Sequence, residues 1–462
     1  MKEREGIPVT GEIDGERASF DGEGNGRRSR SGDQPGGHRS PSGDQPDARR
    51  SPVARAPRNA RVVAAPPGDT SGPARGRTSR LRTYLQLARV SNLPTVWTNV
   101  LAGIALAGAA VRESLAPAGA ASQRVETVVA AVPLTTLALL LGAMSLFYTG
   151  GMFLNDAFDR EIDARERPER PIPSGAIGPL RVFALGFGML ALGWLAVWAH
   201  ATAAAAGPGA SLAAAALAGA IVAYDAWHEG NPWSPVLMGL CRALVYATAA
   251  LAVAGALEPA GALGIAGALE TAGALEPSGT LAPTGALAPT GALAPSLLAG
   301  AAVVWAYVIG LTYVAKQEKL GRVASLWPLL FLAAPFVYGA PVLASGTDAV
   351  LALVAGAAEA PALVFGTAEA PAVVSGTTGA SAPVAALAGP LLYLALLAWV
   401  GSSLARLRGP RPAVGDVVAR LIAGISLVDA LVIARAGDPT LALVAALGLP
   451  LTLFLQRYVR GT

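Results

Sequence analysis

The sequence predicts an all-α membrane protein, a polytopic helical bundle of nine to ten transmembrane helices. Of the 462 residues, 53% are hydrophobic and 14% are charged, whereas an average soluble domain has about 25% charged residues. Apolar runs of about 20 residues, the length that crosses a bilayer, recur along the chain. Lys and Arg cluster in alternate connections between these runs, as the positive-inside rule expects of a polytopic protein.

The first eighty residues, 1–80, are predicted to form a disordered cytoplasmic tail. They are rich in Gly, Ser, Pro, Arg and Asp, and the unit SGDQP occurs twice, at 31–35 and 42–46. This composition buries too little apolar surface to fold. Because no apolar run follows Met1, we expect no cleavable secretory signal.

The membrane domain is expected to cover 81–462. Ten runs qualify as spans, near 93–111, 128–150, 180–200, 211–227, 235–256, 297–315, 325–345, 386–405, 417–435 and 440–456. The ninth run contains Arg420, Asp429 and Arg435, so we expect it to be amphipathic or to pack inside the bundle.

The distribution of charge predicts the orientation of these spans. Basic residues cluster at 75–89, 160–181, 316–322 and 406–411, whereas the connections 256–296 and 346–385 contain neither Lys nor Arg. We therefore expect an integral protein of the cytoplasmic (inner) membrane, with its N-terminus and the 155–181 connection in the cytoplasm. The two connections without Lys or Arg repeat short GAL- and AEAPA-containing units, and we predict flexible outer loops there.

Composition also excludes several other classes of protein. The isoelectric point of about 9.4 follows from basic loops that obey membrane topology, so we expect no nucleic-acid partner. The single Cys241 excludes an intrachain disulfide. Three scattered histidines, His38, His200 and His228, form no zinc-binding pattern in the sequence. The oligomeric state is not predicted.

The most informative segment of the chain is NDAFDREIDARERPERPIPSG, residues 155–175. In a helix, spacings of three, four and seven residues place three carboxylates along one face. These carboxylates belong to Asp156, Asp159 and Asp163. Together with Asn155 they are predicted ligands of Mg²⁺, because Mg²⁺ prefers oxygen ligands. Four arginines of the segment are predicted to bind phosphate, because a guanidinium group can donate two parallel hydrogen bonds to phosphate oxygens: Arg160, Arg165, Arg167 and Arg170. The alternative is a charged loop that caps a transmembrane helix.

The motif N-D-x-x-D-x-x-x-D followed by R-P-x-R-P-I-P-S-G resembles the first Asp-rich motif of the UbiA superfamily of intramembrane prenyltransferases. The similarity of architecture covers residues 81–462, and the first eighty residues have no counterpart in it. The resemblance implies a UbiA-like bundle whose central cavity opens to the lipid bilayer. It also implies Mg²⁺-dependent transfer of a prenyl group from a polyprenyl diphosphate to a small aromatic or polar-headed acceptor.

A second cytoplasmic segment reads YDAWHEGNPWSPVLMGLCRAL from Tyr224. Tyr224 and Arg242 match the superfamily's Tyr-containing motif with basic residues after the fourth helix. The ring of Tyr224 is predicted to stabilise an allylic cation, and Arg242 to bind the diphosphate, because a buried arginine needs an anionic partner. This string looks most like the Ebo-type branch of the superfamily, which has been associated with metabolite export.

A third segment, residues 313–319, stands where the superfamily usually has a second Asp-rich motif, and this sequence departs from that pattern. Its one acid is Glu318, a predicted metal ligand. We predict that Lys316 supplies positive charge to the diphosphate in place of a second metal and that Lys319 also binds it. The departure keeps a second hypothesis open: a non-catalytic UbiA-like membrane protein for export or handling of a metabolite.

Residues before and inside the first span complete the predicted site. Arg89 is predicted to bind the diphosphate and Asn99 to contact phosphate or the metal's surroundings, by resemblance to a basic residue and an Asn of the superfamily. Arg89 has the alternative role of a topology anchor. Soluble prenyl diphosphate synthases, which also use Asp-rich helices, are excluded by hydropathy.

Overall fold

The structure, a computed structural model, describes residues 74–115, 132–204, 207–271, 294–317, 327–344, 347, 381–408 and 414–459. These residues form helices and connecting turns, with no strand among them. The α-helices are α1 Ala74–Leu87, α2 Leu93–Leu115, α3 Leu134–Phe158, α4 Arg160–Glu166, α5 Pro179–Ala203, α6 Gly209–Trp227, α7 Ser234–Thr271, α8 Pro295–Lys316, α9 334–344, α10 Ser381–Ala405, α11 Val414–Arg435, α12 Pro439–Ala446 and α13 Gly448–Gln456.

Ten segments of the described chain are long and apolar enough to cross a membrane. Eight of them lie along α2, α3, α5, α6, α7, α8, α10 and α11. The other two join a 3-10 turn to α9, over Trp327–Ala344, and α12 to α13, over Pro439–Gln456. The predicted all-α bundle of nine to ten spans is confirmed, and the chain is an integral membrane protein.

Several predicted boundaries differ from the structure. The second span begins at Leu134 and ends at Phe158 instead of covering 128–150, because Asn155 and Asp156 continue the helix. Helix α1 begins at Ala74, so the predicted tail boundary at residue 80 falls inside a helix. Residues 1–73 lie outside the described residues, as does most of both predicted outer loops.

Those two loops also differ from the prediction at their edges. Helix α7 continues to Thr271, so the first part of the predicted loop 256–296 is helical. Helix α10 begins at Ser381, inside the predicted loop 346–385. Ala, Leu and Glu in the repeat units are good helix formers, and this preference outweighs their Gly and Pro residues next to an existing helix.

Helices α2 and α11 lie at the centre of the bundle. Within the apolar window of each span, 72% of α2 and 78% of α11 is buried, against 28% of α5. The prediction that the ninth span packs inside the bundle is therefore confirmed. Its Asp429 has no solvent-exposed surface, so the charge of this residue has to be compensated inside the protein.

Small residues allow neighbouring helices of the bundle to approach closely. A Cβ atom on Gly103 of α2 would lie 2.6 Å from the carbonyl oxygen of Tyr246 on α7. Gly150 of α3 and Gly186 of α5 meet in the same manner, with a Cβ on Gly150 2.9 Å from the Gly186 carbonyl oxygen. Such contacts are typical of helix packing in membranes, and they fix α7 beside α2 and α5 beside α3.

Candidate active site

The Asp-rich segment lies at the end of α3 and continues into α4. Asp159 joins the two helices with helical backbone angles, φ −77° and ψ −2°. Its amide donates to the Asn155 carbonyl at 2.9 Å, and the Asp163 amide donates to the Asp159 carbonyl at 2.8 Å. The helical course is therefore maintained past the apolar span, and Asn155, Asp156 and Asp163 are buried.

Two arginines pair with this aspartate ladder, which we define as Asp156, Asp159 and Asp163. Arg170 Nη1 lies 2.8 Å from Asp163 Oδ2 and 3.5 Å from Asp156 Oδ1. Arg89 Nη2 lies 3.1 Å from the same oxygen of Asp156, and it also donates to Asn155 Oδ1 at 3.4 Å. Opposite charges from three parts of the chain thus meet at one place.

Arg89 reaches this position through an unusual backbone conformation. It has φ 42° and ψ 48°, in the left-handed region, and it is the one described residue other than Gly with positive φ. Its carbonyl oxygen accepts a hydrogen bond of 3.2 Å from the Tyr148 hydroxyl. Left-handed non-glycine residues concentrate at functional sites, where surrounding contacts maintain the strain.

A cavity of about 600 Å³ opens beside the ladder and contains four arginines, Arg89, Arg167, Arg170 and Arg242. Its apolar lining comes from α3, α7, α8 and α11: Met152, Met238, Val308, Leu311, Ala315, Val418, Ile422 and Ile425. The other lining residues are polar or aromatic: Asn92, Tyr148, Glu169, Tyr224 and Thr312. One side of the cavity therefore suits an anion and the rest suits a hydrocarbon chain.

A smaller cavity, of about 80 Å³, shares Tyr148, Met152, Tyr224, Met238 and Arg242 with the larger one. Its other lining residues are mainly apolar and come from α2, α3, α6 and α7: Val96, Met144, Phe147, Gly151, Leu217, Ile221, Asp225, Cys241 and Val245. Tyr148 and Tyr224 line both cavities. A cationic group between the cavities would therefore lie against their aromatic rings.

Arg242 connects the cavities to a polar network in the core. Its Nη1 donates to Asn99 Oδ1 at 2.7 Å, and its Nη2 donates to Thr95 Oγ1 at 3.1 Å. The Asn99 amide nitrogen lies 2.9 Å from both carboxylate oxygens of Asp429. Asn99 thus lies between the guanidinium and the carboxylate and lines neither cavity. Its contact with phosphate or metal stays a prediction.

Two hydroxyl groups complete the coordination of Asp429. Tyr246 donates to Oδ1 at 2.6 Å, and Thr98 donates to Oδ2. The carboxylate therefore has donors on both oxygens although it is fully buried. We call Asp429, Asn99, Arg242, Tyr246 and Thr98 the core network.

A third group of side chains could hold a metal ion. Ligand atoms of Asp159, His228 and Glu229 all lie within 4.8 Å of one another. Burial lowers the pKa of His228, but the carboxylates of Asp159 and Glu229 and the backbone of Asp225 together raise it more, so the pKa lies above its ordinary value. These donors fit a divalent cation, and the group shares only Asp159 with the predicted metal ligands.

Two predicted contacts are not found where the sequence suggested them. Arg160 pairs with Glu161 at 2.9 Å and lies over the Phe183 ring, away from the residues that line the cavity. Lys316 donates to the backbone carbonyl of Asn231 instead of facing the cavity. A side chain's charge predicts neither its direction nor its local partner. Glu318 and Lys319 lie outside the described residues.

Several residues of the site carry little signal in the sequence. Tyr148, for example, lies inside an apolar run. His228 is one of three scattered histidines without a zinc pattern. Its position four residues after Tyr224, on the same helical face, is the one indication that it joins the site.

Residues 92–275 match the model of the UbiA prenyltransferase family. This match makes that part of the chain similar to the family, and we refer to residues 92–275 as the UbiA domain. The UbiA domain contains the aspartate ladder, Tyr224 and Arg242, which are the residues that carry the resemblance.

Curated relatives of the UbiA domain include digeranylgeranylglyceryl phosphate synthases. The protein from Ignicoccus hospitalis is 37% identical over 116 residues, 25% of this chain and 31% of its own length. That from Methanopyrus kandleri is 40% identical over 110 residues, 23% of this chain and 32% of its own. The chain thus spans about a third of the length of these relatives, which support the superfamily and not specifically the Ebo-type branch.

A solved structure described as concerning digeranylgeranylglyceryl phosphate synthase in membranes is similar at 16% identity. The alignment covers 78% of this chain and 99% of the other, with a TM-score of 0.38. A similarity this distant carries no argument about the fold or the function.

Proposed function

We propose that the protein is an intramembrane prenyltransferase that moves a prenyl group from a polyprenyl diphosphate to a small acceptor with a polar head. The observation that carries the proposal is the 600 Å³ cavity, whose lining combines four arginines and a single acid, Glu169, with apolar side chains of α3, α7, α8 and α11. The diphosphate would bind to Arg89, Arg167, Arg170 and Arg242. The prenyl chain would lie against α8 and α11.

The proposed reaction breaks the bond between C1 of the prenyl chain and the diphosphate oxygen. The acceptor oxygen bonds to C1 and gives up its proton to the departing diphosphate, whose negative charge the arginines hold. The rings of Tyr148 and Tyr224 would stabilise the allylic cation that forms between these events. The apolar wall would exclude water, which would otherwise capture the cation.

A divalent cation, Mg²⁺ in our proposal, would add positive charge to the diphosphate and assist its departure. The carboxylates of Asp156, Asp159 and Asp163 would hold it, together with Asn155. Arg89 and Arg170 now pair with Asp156 and Asp163. We propose that these arginines turn to the diphosphate when it binds, which releases carboxylate oxygens for the cation.

The names of the relatives suggest the class of acceptor. Their product is a glyceryl phosphate with two geranylgeranyl groups, so an acceptor with a glyceryl phosphate head and one chain is the first candidate. Four arginines exceed the need of one diphosphate and favour an acceptor that is itself anionic over a neutral aromatic one.

The test is product analysis with the full chain in lipid nanodiscs. A C20 polyprenyl diphosphate and Mg²⁺ are supplied with either a single-chain glyceryl phosphate lipid or an aromatic acid, and products are identified by mass spectrometry. We expect the glyceryl phosphate lipid to gain one prenyl group. Prenylation of the aromatic acid alone would change the acceptor class. The absence of any product with retained binding of the diphosphate would favour the non-catalytic hypothesis.

We also propose that the aspartate ladder faces the cytoplasm, because basic residues cluster on that side of the spans. In a Cys241→Ser background, a cysteine placed at Ser174 should be protected from an impermeant thiol reagent added outside the cell. A cysteine introduced at Ala286, in the predicted outer loop, should react. Strong external labelling at Ser174 would reverse the orientation.

A further inference from the structure

The cluster of Asp159, His228 and Glu229 differs in composition from the aspartate ladder beside it. His228 Nε2 lies 3.5 Å from Asp159 Oδ2 and 3.7 Å from Glu229 Oε1. Ligands bound about 2.1 Å from one ion stand about 3.0–3.4 Å apart at octahedral or tetrahedral angles. A small movement of the three side chains would therefore place them around a single cation.

The imidazole of His228 is already oriented as a metal ligand would be. Its Nδ1 lies 3.3 Å from the Asp225 backbone carbonyl oxygen, and the ring stacks on Tyr224 at 5.0 Å. A carbonyl oxygen only accepts hydrogen bonds, so this contact assigns the ring hydrogen to Nδ1. The Nε2 lone pair then faces the two carboxylates, the arrangement that is common for metal-bound histidine.

A buried carboxylate next to the cluster is an independent sign of a missing positive charge. The side chain of Asp225 is buried, and its Oδ2 atom has no hydrogen-bond partner among the described residues. Its carboxylate interacts electrostatically with both His228 and Asp159. A buried carboxylate oxygen without a donor is costly, and a cation at the cluster would reduce that cost.

We propose that Asp159, His228 and Glu229 bind one divalent transition-metal ion with mixed nitrogen and oxygen ligands, and that Mn²⁺ is preferred to Mg²⁺. Mg²⁺ takes oxygen ligands in a near-ideal octahedron, whereas imidazole favours transition metals. The site shares Asp159 with the proposed function, but it does not depend on prenyl transfer. Direct metal binding therefore tests it separately from activity.

A simple ion pair between protonated His228 and the two carboxylates is the competing explanation. Charge-assisted N–H···O bonds are usually about 2.7–2.9 Å long, which is shorter than either distance from Nε2. Both explanations keep the three side chains together, so only a measurement on the metal itself separates them.

The experiment uses the full chain in nanodiscs, without an affinity tag and after treatment with EDTA. Mn²⁺ is titrated and followed by electron paramagnetic resonance, with Mg²⁺ as a competitor, and pulsed measurements detect nitrogen bound to Mn²⁺. The test variants are His228→Ala and Glu229→Gln. The matched controls are His200→Ala, at the far end of α5, and Glu161→Gln, an exposed acid that pairs with Arg160.

We expect a nitrogen coupling in the unmodified protein that is lost in His228→Ala and retained in His200→Ala. Loss of an outer partner of a metal ligand costs about 10–100-fold in affinity, so loss of His228 itself should weaken Mn²⁺ binding at least about tenfold. Glu229→Gln should weaken Mn²⁺ binding as well, whereas Glu161→Gln should not.

Two results would overturn the proposal. Mn²⁺ bound without nitrogen coupling, with the same affinity in His228→Ala, would indicate a site made of oxygen ligands alone. Failure to bind Mn²⁺ at millimolar concentration would indicate the simple ion pair. The coupling is measured in the unmodified protein, so the outcome stands even if a variant does not fold.

Discussion

The protein contains two places where an arginine and an aspartate are brought together, and they are built differently. At the aspartate ladder, Arg170 and Arg89 bind Asp163 and Asp156 directly. In the core network, the amide of Asn99 separates Arg242 from Asp429. The ladder's contacts are ones that a diphosphate or a cation can replace, whereas the core network holds a fully buried carboxylate in place.

This difference follows from the cost of burial. A fully buried direct ion pair loses more hydration energy than it regains unless its geometry is excellent. Asp429 instead accepts hydrogen bonds from Tyr246, Thr98 and Asn99, so its charge is stabilised by neutral donors. Arg242 is thereby held on one side by α2 and remains exposed to both cavities on the other.

The largest effect is expected from Arg170→Ala at the ladder. The change leaves Asp156 and Asp163 without this partner and removes one donor from the diphosphate. Removal of a single donor to a developing negative charge typically costs about 10²–10³-fold in rate, so kcat/KM for prenyl transfer should fall at least about 100-fold.

Arg160→Ala is the matched control, because Arg160 lies in the same segment but over Phe183. Its kcat/KM should change by no more than about threefold, in line with a surface substitution. Equal losses in both variants would show that the segment attracts the substrate by its overall charge, and the distinction between arginines that pair with the ladder and those that do not would fail.

A smaller effect is expected from Asp429→Asn in the core network. The change keeps the shape of the side chain but removes the charge that orients Asn99 and, through it, Arg242. We expect diphosphate affinity to fall about tenfold, equivalent to roughly 1.4 kcal/mol, as for a weakened hydrogen bond to a charged group. The affinity is measured by equilibrium binding in nanodiscs.

A double-mutant cycle with Arg242→Gln separates this effect from general destabilisation. If Asp429 acts through Arg242, Asp429→Asn should change the affinity little in the Arg242→Gln background. Tyr246→Phe is the control, because it removes one donor to Asp429 and leaves the hydrogen bonds of Arg242 in place. Additive losses would assign Asp429 a role in stability alone.

Some of this organisation could be predicted from the sequence, and some could not. The ladder was predictable because its aspartates lie within one helical segment, where spacing alone decides which side chains share a face. The core network joins three helices, with a separation in sequence of 143 residues between Asn99 and Arg242 and 330 between Asn99 and Asp429. A single sequence contains no periodic signal for contacts at that separation.

The smallest effect is expected from Lys316→Ala, which the sequence placed at the diphosphate. Lys316 donates to the Asn231 carbonyl and does not line the cavity. Both KM and kcat should therefore stay within about threefold of the unmodified protein, as is usual for substitutions away from a site. A severe rise in KM would mean that Lys316 turns to the substrate and would restore the prediction from sequence.

The most direct test of the account is the release of diphosphate from a polyprenyl diphosphate by the protein in nanodiscs, with and without Asp156→Asn. Asp156 contacts both ladder arginines, so the substitution changes the ladder and leaves the core network intact. We predict metal-dependent release, equal in amount to the prenylated acceptor formed and at least about 100-fold slower in Asp156→Asn. Release at the same rate in both proteins, or tight binding of the diphosphate with no release, would contradict the account.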